Sequence, residues 1–262
     1  MKSTFVVQTG AGKALARNHR TGVDSHPINL YIYEKINCHM DKNLIRSHLG
    51  IILAAGSVWG LTEFAFGMGL QKCGVLFSGA ILTGIAFFWV SFAYSLTRSI
   101  VPVLLVLCIA VLFKLLDALL LPVSWNHGSI LNPVFAFVTL AAGFLMLTAL
   151  FGNRFFTRLG NRIAVGAGAA LAAVSLFPLA GFVTGSKACV VAATNMPQSI
   201  YTAPVAIVIA MCTVPLGYYA AMRYAESISA GNMETRAPVL ARLWAPAVVV
   251  CCLLIVTIAR LI

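Results

Sequence analysis

Charge is what this sequence has least of. Only ten per cent of its 262 residues are Asp, Glu, Lys or Arg, against about 25% in soluble domains, and just seven of them are acids. Such a chain cannot cover a water-facing surface, which excludes a soluble globular domain. Metal-ligand spacing is also absent, because the seven cysteines are an odd number scattered along the chain; no structural metal centre is indicated. Cys108, Cys212, Cys251 and Cys252 fall in apolar stretches and read as small packing residues. Cys73 and Cys189 fall in loops on one side, where a disulfide or two ordinary thiols both fit. A nucleotide loop is missing too. Gly10, Ala11, Gly12 and Lys13 approach one, but Val7 stands where the motif needs Gly and Ala14 where Ser or Thr would hold magnesium. With no nucleophile, base and orienting group in a recognisable arrangement, the chain reads as a non-enzyme without a cofactor.

What is present is hydrophobic residue, 60% of the chain. A helix needs about 20 apolar residues to span a bilayer, and seven stretches qualify: 49–70, 74–95, 99–121, 130–151, 163–183, 201–222 and 242–262. The expected fold is therefore an all-α polytopic membrane helix bundle of about seven transmembrane helices. Residues 1–47 are polar and basic and read as a mobile cytoplasmic tail. They carry no apolar core of a secretory signal, and a chain started at Met40 keeps every span. Residues 48–222 form a six-helix core, 223–241 a polar connection, and 242–262 a seventh, peripheral span with Trp244 as an interfacial anchor.

The net charge of +11 reports topology rather than nucleic-acid binding, because the basic residues are sorted by loop. With the N-terminus inside, 14 of the 18 Lys and Arg fall in inner segments and three in outer ones, with Lys114 inside a span. This bias places the N-terminus in the cytoplasm and the C-terminus outside a cytoplasmic membrane.

The first span organises the rest. Gly56, Gly60, Glu63 and Gly67 recur at helical spacing on one face, and glycines there let a neighbouring helix approach closely. Gly50, Ala54 and Ser57 form a second small-residue stripe, turned about 120° away. It meets either another chain or an internal neighbour. The second span is aromatic and reads as scaffold. The third carries Lys114 and Asp117 on one face. Glu63 and Lys114 lie about 22 and 24 Å from the inner ends of their helices, hence at similar depth in the outer half. Ionisable side chains at that depth face one another or a water-filled cavity. Two acids and one amine leave one negative charge for a cationic or zwitterionic solute to balance, unless one carboxyl stays protonated. An architectural alternative is a Lys114–Asp117 pair with Glu63 merely packed. Asn132, ahead of Pro133, reads as a helix cap or a ligand contact, and His127 as a loop residue. The fifth span is rich in Gly and Ala and favours close helix contact. The loop 184–200 is long enough to be a gate, and Pro204 and Pro215 lie inside the sixth span, where they can free backbone carbonyls.

The run from Gly56 through Trp59 and Gly60 to Glu63, then Lys114-Leu115-Leu116-Asp117 and Leu131-Asn132-Pro133, resembles the substrate-binding membrane subunits of energy-coupling factor transporters, over residues 48–222. The resemblance implies six helices binding a micronutrient near the outer face. Trp59, Glu63, Lys114, Asp117 and Asn132 would bind the solute, and Gly50 and Ala54 would contact a transmembrane coupling subunit that works with two ATPases. The seventh span and the basic tail depart from that pattern. Two other classes stay open on the residues alone: an autonomous proton- or ion-coupled carrier, and a noncatalytic membrane anchor or assembly subunit.

Overall fold

The computed structural model describes residues 42–70, 77–120, 127–185, 196–229 and 238–261, without some side chains at helix ends. Residues 1–41 of the tail, Cys73, Cys189 and most of the loop read as a gate lie outside these, as do the side chains of Asp117 and Trp244.

The described chain is an all-α bundle. The long helices are α1 (Lys42–Leu70), α2 (Ser78–Thr97), α3 (Ile100–Leu120) and α4 (Gly128–Phe151). A short α5 (Arg154–Thr157) leads into α6 (Leu159–Leu176), a 3-10 turn (Phe177–Leu179) and α7 (Ala180–Thr184). The chain closes with α8 (Gln198–Ser229) and α9 (Pro238–Leu261). Five described segments are long and apolar enough to cross a membrane: His48–Phe66, Ser78–Thr97, Ile130–Phe151, Leu159–Thr184 and Gln198–Ser227. The described parts of α3 and α9 add two shorter apolar helices, Ile100–Leu116 and Ala245–Ile258. Large apolar side chains such as Leu150, Leu171, Val208 and Leu254 face outward, which is costly in water and favourable against lipid. The protein is an integral membrane protein.

Two boundaries differ from the periodicity reading. Helix α1 begins at Lys42, inside the segment read as tail, and continues into the apolar span without a break. The fifth span is interrupted at Pro178, which lacks the N–H an α-helix interior needs and sits in the 3-10 turn between α6 and α7.

Close approaches fix the packing. Gly56 lies on Ile109 and Gly60 on Phe113, so α1 and α3 run parallel in constant register. Gly84 meets Ile209 and Gly217 the Phe88 carbonyl, which pairs α2 with α8, also in parallel. The buried Ser91 hydroxyl donates to the Val214 carbonyl across that contact, at 2.7 Å. Gly166 on Ala210, with Arg162 near Tyr218, sets α6 antiparallel to α8. Helix α2 touches α1, α3, α4 and α8. The main core joins Trp59, Phe87, Phe144 and Phe155, whereas α9 stays outside it. It packs on α1 through Ala245, which faces Gly50, and forms a separate apolar cluster of Cys252 and Val256 with Phe64 and Phe113.

Candidate functional site

On α1, Ile52, Ala55 and Trp59 form the face turned to the main core. Glu63 continues that stripe one turn further, and it is only 6% exposed. On α3, Val103, Val106 and Ala110 face the same core. Lys114 follows them at the next turn and is 7% exposed. Each helix thus carries an apolar stripe that ends in a buried ionisable group, where burial without compensation is costly.

The parallel register sets their heights. Extending the Gly56–Ile109 and Gly60–Phe113 contacts puts Glu63 level with Leu116, and Lys114 level with Leu61. Positions 63, 114 and 117 therefore fall within about one turn, roughly 5 Å, along neighbouring helices. The similar depth expected of Glu63 and Lys114 is what the packing produces. Asp117 shares that height through its backbone, and its side chain lies outside the described residues.

Trp59 is fully buried, its ring 5.1 Å from that of Phe137 on α4. Its indole N–H finds no acceptor among the described residues. A buried donor left unpaired costs on the order of 1–3 kcal/mol, and it is offered to whatever polar group next enters this layer. Neither periodicity nor motif spacing signals that orphaned donor, because its environment is built by α4.

Asn132 is neither before the helix nor its cap. Helix α4 starts at Gly128, the His127 carbonyl accepts the Ile130 and Leu131 amides, and Asn132 lies in the second turn. Capping is thus replaced by a tertiary contact: Thr184 Oγ1 lies 2.9 Å from Asn132 Oδ1 and 2.8 Å from the Ala180 carbonyl. One hydroxyl proton is either shared between the two acceptors or given to the Ala180 carbonyl, with the amide turned so that its Nδ2 donates to the hydroxyl. Thr184 has no local sequence signal, being 52 residues from its partner. Because α4 is antiparallel to α1, Asn132, five residues before Phe137, stands about 7.5 Å nearer the end than that ring, and Glu63 about 6 Å beyond Trp59. The layer thus holds Glu63, Lys114 and Asn132 within about one helical turn of each other in height, above the Trp59–Phe137 contact.

The stripe of Gly50, Ala54 and Ser57 is occupied inside the chain. A Cβ on Gly50 would lie 2.9 Å from that of Ala245, and Ala54 and Ser57 are both buried. Helix α9 stands on the Gly50 face, where the family resemblance places a coupling subunit. Three of the cysteines read as packing residues, Cys108, Cys212 and Cys251, are exposed on the outside of the bundle instead, and Cys252 alone of the four is buried. The periodicity of an all-apolar helix does not distinguish its lipid side from its core side. Among the described residues no three His, Cys, Asp or Glu side chains converge as a metal ligand set. Comparison with family models, curated proteins and solved structures returned no match for this chain.

Proposed function

We propose that the protein is a solute-binding component of a membrane importer for a small polar or charged micronutrient, working with partner chains that supply ATP-driven transport. The observation that carries this reading is the pairing of depth and burial at Glu63 and Lys114, on adjacent helices and near the Trp59 N–H, which has no acceptor among the described residues. Membranes tolerate such groups where they meet a partner, a solute or water. Glu63 and Asp117 would hold a cationic group, Lys114 an anionic one, and Asn132 with Trp59 would orient the neutral part through hydrogen bonds. The charge bias sets the layer toward the outside, with the N-terminus inside and the C-terminus outside. A reporter fused after Ile262 tests that topology; a cytoplasmic signal removes it.

A second reading has its own support. Helix α9 already covers the Gly50 face, which favours an autonomous proton- or ion-coupled carrier that needs no coupling subunit. Purification in mild detergent, with mass spectrometry of associated chains and retained small molecules, separates the two. A transmembrane partner with ATPases supports the importer. Uptake by the purified chain alone, abolished by collapsing the proton gradient, supports the carrier. Neither result, together with unaltered phenotype in Glu63→Gln and Lys114→Met, leaves the anchor reading in place of both.

A further inference from the structure

At the basic end of the bundle, away from the buried charges, the short α5 turn is tied down by its neighbours. Arg162 donates from Nε to the Phe155 carbonyl at 3.0 Å and from Nη2 to the Phe156 carbonyl at 2.8 Å. Its guanidinium lies 3.5 Å over the Tyr218 ring, and that of Arg98 lies 4.5 Å over the Phe156 ring. The two rings are neighbours, with centroids 6.3 Å apart. Aromatic faces and carbonyls hold these cations in place without neutralising them. Arg154 and Arg158, on the same turn, are exposed. None of the four has a carboxylate partner among the described residues, where the ion pair at this end is Arg223 with Glu226.

The location selects the anion. Arg98 follows the last residue of the Ser78–Thr97 span, and Arg162 lies in the first turn of the Leu159–Thr184 span. Ile100, two residues after Arg98, and Leu159, three residues before Arg162, are exposed apolar residues. A fixed group of cations bordered by apolar surface, at the end of the spans, matches a ligand that is anionic at one end and hydrocarbon at the other. We propose that the edge where Arg98, at the end of α2, and Arg162, at the start of α6, flank the Phe156 and Tyr218 rings is a binding site for the phosphate of an anionic phospholipid. Arg98 and Arg162 are its preorganised contacts, and Arg154 and Arg158 add charge.

The test is native mass spectrometry of the purified full chain with equal amounts of phosphatidylglycerol and phosphatidylcholine of the same acyl composition. The wild-type chain is expected to retain phosphatidylglycerol preferentially. Arg98→Asn, which preserves the backbone conformation at that position, and Arg158→Gln are each expected to lower that retention about fivefold, the effect of one surface cation on an anionic lipid. Arg223→Gln, at the paired arginine, should leave it unchanged. Equal retention of the two lipids by the wild type overturns the proposal, as does an unchanged preference in the Arg98→Asn, Arg158→Gln double variant. Loss of phosphatidylglycerol to millimolar inorganic phosphate assigns the site to a soluble anion and overturns the lipid. Arg162→Gln is left out of the set, because that side chain also holds α5 in place.

Discussion

Gly60 lies so close to Phe113 that a side-chain carbon added at Gly60 would come within 2.5 Å of the Phe113 Cγ. The contact lets α1 and α3 approach to the distance at which Glu63 and Lys114 share one layer. It is made of the ring's fixed end, its Cβ and Cγ, rather than a flexible tip.

Gly60→Ala is therefore expected to destabilise the bundle by about 1–2 kcal/mol, the overpacking penalty reduced by alanine's better helix propensity. Gly79→Ala, where an added carbon meets nothing within 4 Å, should be neutral or slightly stabilising. Thermal unfolding in detergent compares the two, and equal losses would mean that close approach is not what Gly60 provides.

Trp59→Phe keeps an aromatic ring beside Phe137 and removes the unpaired N–H. Lost ring volume and relieved desolvation oppose each other, so stability should change by less than about 1 kcal/mol. Solute affinity should fall roughly tenfold, the loss of one hydrogen bond to a charged or polar ligand. Titration with the solute that copurifies reads the second number, and unchanged affinity removes the indole from the site.

Glu63→Gln preserves shape and removes the charge. It should leave the chain folded and reduce solute capture tenfold or more, since a charge-assisted hydrogen bond carries about 1.5–3 kcal/mol. Lys114→Met should do the same to the opposite pole of the ligand. If either variant unfolds while the other binds normally, the buried charges serve helix packing rather than solute.

Arg98 has φ = 53°, in the left-handed region, where it ends α2 with its amide bonded to the Tyr94 carbonyl at 2.7 Å. Arg98→Gly and Arg98→Ala both lose the ring contact, but only glycine adopts this backbone without strain. Arg98→Gly should be the more stable of the two by about 1 kcal/mol, measured by thermal unfolding.

Removal of residues 238–262 deletes α9, which among the described residues packs mainly on α1 and in the Phe64–Phe113 cluster. The remaining core should stay folded, with Gly50 newly exposed. If the importer reading holds, copurification of a membrane partner through that face should rise. A core that unfolds on this deletion would instead make α9 an integral part of the bundle.

Much of this was legible before any coordinates. Hydropathy over about 20 residues and helical spacing are local properties, so the apolar spans, the glycine face of α1 and the similar depth of Glu63 and Lys114 follow from chain order and rise per residue. Partners across helices are not local. That Gly50 meets α9, that Asn132 meets Thr184 rather than capping its helix, that Trp59 is left without an acceptor, and that Arg98 and Arg162 rest on neighbouring rings all depend on which helices adjoin. In a chain apolar on every side, the hydrophobic pattern alone does not select neighbours; close packing at small residues does, and it exists only once the bundle has assembled.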